Sequence, residues 1–262
     1  MRNCRLVADG LDSHWDSASD SPLANPREPR TTAQLRRLAA DVQAVSTNPL
    51  DGTHALDLLN TSYATPFAAA ARARLKADPS IRPLIQERYW EPWPSLVELQ
   101  SQPEGSLGHT LGQLLADQGL KPLPDPVIPP GADGDDRYLQ LRIRHTHDVW
   151  HAVTGFPPTL AGEAGLNGFT CEQLRWPGSA LLLAADLIHR VNEEGANPQD
   201  NGVDVGRAVA FGLELGATAS PFLAQRWEQG WQRPLQAWRE SLGLSPSLMA
   251  RSPFASPGES IG

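Results

Sequence analysis

Lysine is nearly absent from this 262-residue chain: Lys76 and Lys121 are the only two, and arginine supplies almost all of the fixed positive charge. The net charge is -8 at pH 7 and the sequence pI is about 5.3. An acidic surface repels phosphate backbones, which argues against a nucleic-acid partner, and it gives no broad attraction to anionic bilayers, although a small apolar patch could still touch one. Cysteine is scarce too. Cys4 and Cys171 form no spacing motif, so neither a disulfide framework nor a cysteine metal knuckle is expected, and a reducing compartment is the default. No run of about 18 uncharged apolar residues exists to cross a membrane; the longest candidate, Ser179 to Leu187, is short and contains Asp186. Positions 1 to 20 carry Asp9, Asp12, Asp16 and Asp20 without an apolar run, unlike a secretory signal or a basic presequence, so a cytoplasmic location is expected. Alternating strand patterns, internal repeats and heptads are also missing.

What remains is helical periodicity. Residues 1 to 30 are polar and dotted with Pro22, Pro26 and Pro29, which predicts a disordered tail; residues 245 to 262 are expected to form a second proline-rich tail. Between them lies a single all-α domain, residues 31 to 244. Thr31 and Thr32 can cap a helix to about Ser46. Helices are expected over Asp51 to Asn60, Thr65 to Ala77 and Leu107 to Gln118, the last stopped by Gly119. The prolines at 79, 83, 92 and 94 break the pattern, and a proline-rich loop is expected from Pro122 to Pro130. A long helix then spans Asp135 to Thr154 and ends at Gly155, Pro157 and Pro158. Further helices are expected over Thr159 to Gln173, from Pro177 to Gly195, over 202 to 218 and over 221 to 242.

Three of the seven histidines fall between positions 145 and 151. On a helix His147 and His151 sit about 40° apart and one turn apart, with Asp148 about 60° from His151. His145 points roughly 160° away from His147 and is not expected to be a ligand. After eleven intervening residues, beyond the Gly155–Pro158 turn, His151 is followed by Glu163 on the next helix, which must pack back against the first. Two imidazoles with one or two carboxylates suit zinc, iron, manganese or cobalt better than magnesium or calcium. Histidines at this spacing also occur as surface or capping residues. Arg144, on the same side, either pairs with Asp148 four residues on or clamps an anion beside the metal.

These residues resemble the metal motif of the coenzyme Q biosynthesis protein 4 family: His147-Asp148-Val149-Trp150-His151, eleven residues, then Glu163. The flanks are similar as well: Arg142-Ile143-Arg144 before it, the turn Thr154 to Thr159 followed by Gly162-Glu163 after it, Leu99 to Gly108 upstream, and Arg226 to Gln229 and Arg239 to Gly243 downstream. The likeness spans about Leu96 to Leu244, and the acidic N-terminus suggests a bacterial member. The resemblance implies an all-α fold holding one divalent metal ion, zinc by ligand type with iron, cobalt or manganese as alternatives. It implies His147, His151 and Glu163 as ligands, Asp148 as a fourth ligand or an orienting partner, and Arg144 as a holder of the substrate's anionic end. The implied chemistry is oxidative decarboxylation at ring carbon one of a prenylated hydroxybenzoate, a quinone precursor. Peripheral membrane contact, other quinone-biosynthesis proteins and homo-oligomers are implied partners.

Two competing readings follow from the same residues. One is a non-catalytic scaffold that presents a prenyl lipid to partner enzymes. The other is a metal-dependent phosphohydrolase, which would draw on His109 and on Asp186 or Asp204. A prenyl chain needs an apolar slot, for which the helices Ala180 to Ile188 and Val205 to Leu215, rich in small residues, are candidates; both also suit ordinary core packing. Trp227, Trp231 and Trp238 fall within about 40° on the expected last helix, a stripe that suits core better than a bilayer interface.

Overall fold

Short polar side chains open most of the helices, because the first backbone N–H groups of a helix have no partner within it. The structure, a computed structural model, describes residues 32–117, 132–192, 200 and 202–255. Helix α1 covers Thr32–Thr47 and α2 covers Gly52–Tyr63, with the Asp51 side chain accepting from the Thr53 N–H. Thr65 caps α3, Pro66–Ala77, whose proline stands at the first position, where its missing N–H costs nothing. Two short helices follow where prolines had suggested none: α4, Arg82–Glu87, and α5, Leu96–Gln100. Pro83 lies in the first turn of α4, and Ser95 with Glu98 forms a reciprocal cap on α5, so the prolines here precede or begin helices rather than interrupt them. Helix α6 is Leu107–Asp117.

The second half is more regular. Asp133 caps α7, Gly134–Thr154, with Asp135 and Asp136 in its first turn beside the positive end of the dipole; Gly155, at φ 78°, ends it. Thr159 caps α8, Leu160–Leu174, and α9 runs over Pro177–Asn192. Asp204 caps α10, Val205–Thr218. Two short helices close the chain, α11 at Leu235–Ser241 and α12 at Pro246–Met249. The described residues are thus all helical, with twelve α-helices and no strand. The N-terminal tail, the loop from Pro122 to Pro130, and the expected helix ends at Gly119 and Gly195 lie outside the described residues. Part of the expected C-terminal tail is packed: Leu248 is buried, and the Phe254 ring meets the Phe156 ring at 5.9 Å.

The single helix expected over 221 to 242 does not form. Residues 222–224 and 227–230 are 3₁₀ turns, and regular helix resumes only at Leu235. Pro234 cannot join a helical ladder, and the chain before it serves another purpose. The Trp231 and Arg233 carbonyls accept from the Gly108 and Leu107 N–H groups, supplying partners for the first turn of α6. The three tryptophans therefore share no helical stripe. They are all buried: Trp227 and Trp238 lie 4.8 Å apart and Trp231 meets Trp93 edge-on at 5.3 Å.

A buried ion pair fixes α7 against this segment. Arg142, fully buried, donates through both terminal nitrogens to the two Glu228 carboxylate oxygens and also to the Gln225 carbonyl. Behind α8, helix α10 packs at backbone distance. A Cβ on Gly212 would overlap the Gly165 carbonyl, so the small residues of α10 serve close approach and not a lipid slot. Gly212→Ala is expected to destabilise the fold by at least about 1–3 kcal/mol, the usual range for overpacking a filled interface. A melting curve unchanged from wild type would contradict that contact.

Candidate metal centre

The α7–α8 turn determines which side chains can meet. Gly155 reverses the chain, and Phe156 at 1% exposure pins the turn into the core. At Gly162 a Cβ would overlap the Pro157 carbonyl, so glycine is what lets the first turn of α8 fold this tightly over the loop. Glu163, in that first turn, is thereby brought over the C-terminal half of α7. His151 Nε2 lies 3.2 Å from Glu163 Oε1 and 3.2 Å from His147 Nε2; His147 Nε2 lies 3.8 Å from Glu163 Oε2. One ligand atom from each of the three residues falls within 4.8 Å of the others. The His151 side chain is sealed at 2% exposure, whereas His147 and Glu163 keep 31% and 28% and open onto a cavity.

His151 Nδ1 lies 2.9 Å from the Phe156 carbonyl, to which it donates. That bond makes Nε2 the lone-pair nitrogen of a neutral ring, and Nε2 is the atom turned toward His147 and Glu163. Two imidazole nitrogens facing each other beside a carboxylate need a hydrogen or a cation between them, because lone pairs alone would repel. Without a cation the charges arrange accordingly. Burial lowers His147, reinforced by the neighbouring His151. Burial would lower His151 too, but the Glu163 charge and hydrogen bond raise it overall. Burial would raise Glu163, yet His151 holds its carboxyl down to about 2. Two imidazoles and one carboxylate form the donor set of an open catalytic zinc site and suit iron, manganese and cobalt as well. The residues fit a divalent ion, and the His147/His151/Glu163 triad could hold one.

The other expected site residues divide. Asp148 is not part of the converging triad, although its charge acts on both imidazoles, raising each. Arg144 lines the cavity with His147 and Glu163. His145 points elsewhere, held between Trp90 and Trp93 with ring centroids 4.3 Å from each, and burial drives it down to about 3. His109 hydrogen-bonds the Gln100 carbonyl through Nδ1 on α6, and neither it nor Asp204 joins the triad, which leaves the phosphohydrolase constellation unassembled.

The cavity measures about 320 Å³. Ala55 and Leu59 of α2, Ile143 of α7 and Leu182 of α9 line it, and no residue of α10 does. Of the two helices considered for an apolar slot, only α9 contributes. Among the polar lining residues that escaped the sequence reading as site residues are Asn167 and Asp186, apart from a passing role for Asp186 in the phosphohydrolase alternative. The available signal was a lone acid inside the apolar stretch 179–187, on the stripe Ser179, Leu182, Asp186 that a helix turns toward its core.

An all-helical fold in which a two-histidine, one-glutamate cluster borders a largely apolar cavity defines a class of helical proteins able to hold a metal ion. The comparison of sequences narrows this further. The profile of the coenzyme Q (ubiquinone) biosynthesis protein Coq4 family matches residues 31–247, and the chain belongs to that family. The chain is 31% identical to the mitochondrial ubiquinone biosynthesis protein COQ4 homolog of Rattus norvegicus over 182 residues, 67% of this chain and 64% of that protein. It is 24% identical over 201 residues to mitochondrial COQ4 of Eremothecium gossypii, covering 75% of this chain and 60% of that one. The match thus spans slightly less than two thirds of these relatives. A crystal structure of a candidate ubiquinone biosynthesis protein from Nostoc punctiforme PCC 73102 superposes with a TM-score of 0.67 at 26% identity, covering 80% of this chain and 98% of that one. No helix among the described residues is long and apolar enough to cross a membrane.

Wild-type protein is expected to take up one equivalent of zinc, and His151→Ala none, by calorimetry with elemental analysis. Asp148→Asn should retain the ion with about 10–100-fold weaker affinity, the usual loss when a group near the ligands is altered. Because a metal must displace the proton that Glu163 helps His151 hold above its ordinary 6.5, affinity should climb as pH rises through and beyond that value. Affinity that is flat or falls with pH would contradict this assignment.

Proposed function

We propose that the chain catalyses the oxidative decarboxylation of a prenylated hydroxybenzoate in ubiquinone-type quinone synthesis. The observation that carries this reading is that His147 and Glu163 of the triad, backed by the sealed His151, share one largely apolar cavity with Arg144. In the reaction the bond between ring carbon one and the carboxyl group breaks and carbon dioxide leaves. One oxygen of dioxygen becomes the new ring hydroxyl and the other leaves as water, with two electrons and two protons from an external reductant.

A divalent ion held by His147, His151 and Glu163 would supply Lewis acidity toward substrate oxygens and stabilise charge developing on the ring. Arg144 binds the substrate carboxylate through paired N–H donors and orients it. Asp148 keeps the imidazoles correctly charged from outside the triad. Ala55, Leu59, Ile143 and Leu182 exclude water from the ring. A volume of about 320 Å³ is near the lower bound for ligand cavities, so it takes the ring and the nearest isoprene units. The rest of the tail leaves past Pro49 and Leu50 at the cavity edge, where Leu50 is 48% exposed.

The test is turnover of a 3-polyprenyl-4-hydroxybenzoate by protein loaded separately with zinc, iron, manganese and cobalt, with dioxygen, reductant and lipid. Carbon dioxide and the ring-hydroxylated product are expected. Arg144→Gln should lower kcat/KM about 10–100-fold, mainly through KM and with metal content unchanged, the loss expected for hydrogen bonds to a charged group. Failure of every metal form to turn over, or quinone synthesis in cells undiminished by a folded His147→Ala protein, would overturn the enzyme reading and favour a lipid-presenting scaffold.

A further inference from the structure

The buried face of α9 carries a carboxyl where helix packing calls for a hydrocarbon. Ser179, Leu182 and Asp186 lie on one stripe and all three line the cavity; Asp186 is only 3% exposed. Among the described residues its recorded hydrogen bond comes from Asn167 of α8, whose Nδ2 donates to Oδ2 at 2.9 Å. A carboxyl group has about four lone-pair positions, or three and an O–H when protonated, so one donated N–H leaves most of its capacity unused. Burying a polar group this incompletely partnered is costly unless something else fills the remaining positions. Asn167 likewise brings two N–H donors and a carbonyl, of which one N–H is used here.

The position of the pair gives it meaning. Asn167 follows Glu163 by four residues, so it lies on the same face of α8 and about 6 Å along the axis. That is comparable with the distance between para substituents across an aromatic ring. We infer that Asn167 and Asp186 form a hydrogen-bonding subsite for the ring hydroxyl of an aromatic acid whose carboxylate lies at the metal-binding end. The inference rests on the aromatic-acid reading above and adds to it a determinant of substrate choice. The hydroxyl donates to the free lone pairs of Asp186 and accepts from the remaining Asn167 N–H. Burial pushes the Asp186 carboxyl up to about 7, with Glu163 adding to the rise, so the pair can also donate to a phenolate oxygen without a full charge in the cavity. Asn167 and Asp186 are positioning residues in this scheme. A mere clamp between α8 and α9 would leave affinity indifferent to the hydroxyl.

The experiment compares binding of 3-geranyl-4-hydroxybenzoate and 3-geranylbenzoate to the full chain loaded with one equivalent of zinc, by calorimetry. Wild type is expected to favour the hydroxylated acid about tenfold or more, the worth of a satisfied hydrogen bond in a buried site. Asp186→Leu and Asn167→Leu, both near the original volume, should each bring the ratio to within about twofold of one while zinc stoichiometry and cooperative melting persist. A wild-type ratio near one overturns the inference without any variant, as does a preference that survives in both folded variants. If neither acid binds wild type, the aromatic-acid reading itself falls and takes this subsite with it, an outcome distinct from equal binding.

Discussion

The hydrogen bond from His151 Nδ1 to the Phe156 carbonyl holds together the two things the site requires. It ties the last turn of α7 to the loop that reverses the chain, and it decides which imidazole nitrogen carries the lone pair. With Nδ1 engaged, Nε2 must face His147 and Glu163, so the direction of the cluster is set by a backbone carbonyl and not by a freely rotating side chain. Phe156 is itself immobilised among Phe211, Phe254 and Gly165, so the carbonyl that receives the bond has little freedom to move. Packing, tautomer and ligand direction are one constraint expressed three times.

Around this constraint the rest of the fold acts as support from three sides. Arg142 and Glu228 anchor α7 from below, through a pair whose members would each be costly if left alone in the core. Helix α10 backs α8 with backbone-to-backbone contact at Gly212. The 3₁₀ segment before α11 lends its carbonyls to the start of α6 and places Trp227 and Trp238 in the core. None of these elements contributes to the triad, yet each limits how far α7 and α8 can shift.

Much of this was legible in the sequence because local chemistry announces it. Asp51, Thr65 and Thr159 stand where caps are needed, Gly155 stands where a left-handed residue is needed, and the His147-to-Glu163 spacing encodes one helix, one turn and the start of another. The failures share a physical cause. The stretch 221 to 242 has acceptable helical periodicity, but its structure follows from long-range backbone bonds to residues 105–108, which no local pattern records. The tryptophan stripe failed with it. Small residues on α9 and α10 look alike in sequence; only the packing separates the cavity wall at Leu182 from the seam at Gly212. Asp186 was visible as an interruption in an apolar run, but its pairing with Asn167 depends on how α8 and α9 meet.

The seam between α8 and α10 gives the two sides of the cavity unequal room for variation. Behind Glu163 and Asn167, any added carbon at Gly212 strikes a main-chain carbonyl, so bulk cannot change there without moving the ligand-bearing helix. Opposite, Ala55, Leu59 and Leu182 line the cavity, where exchange of one hydrocarbon for another of similar volume is tolerated best. The chamber can therefore be reshaped from α2 and α9 by side-chain exchange, whereas the wall formed by α8 is fixed by its seam with α10.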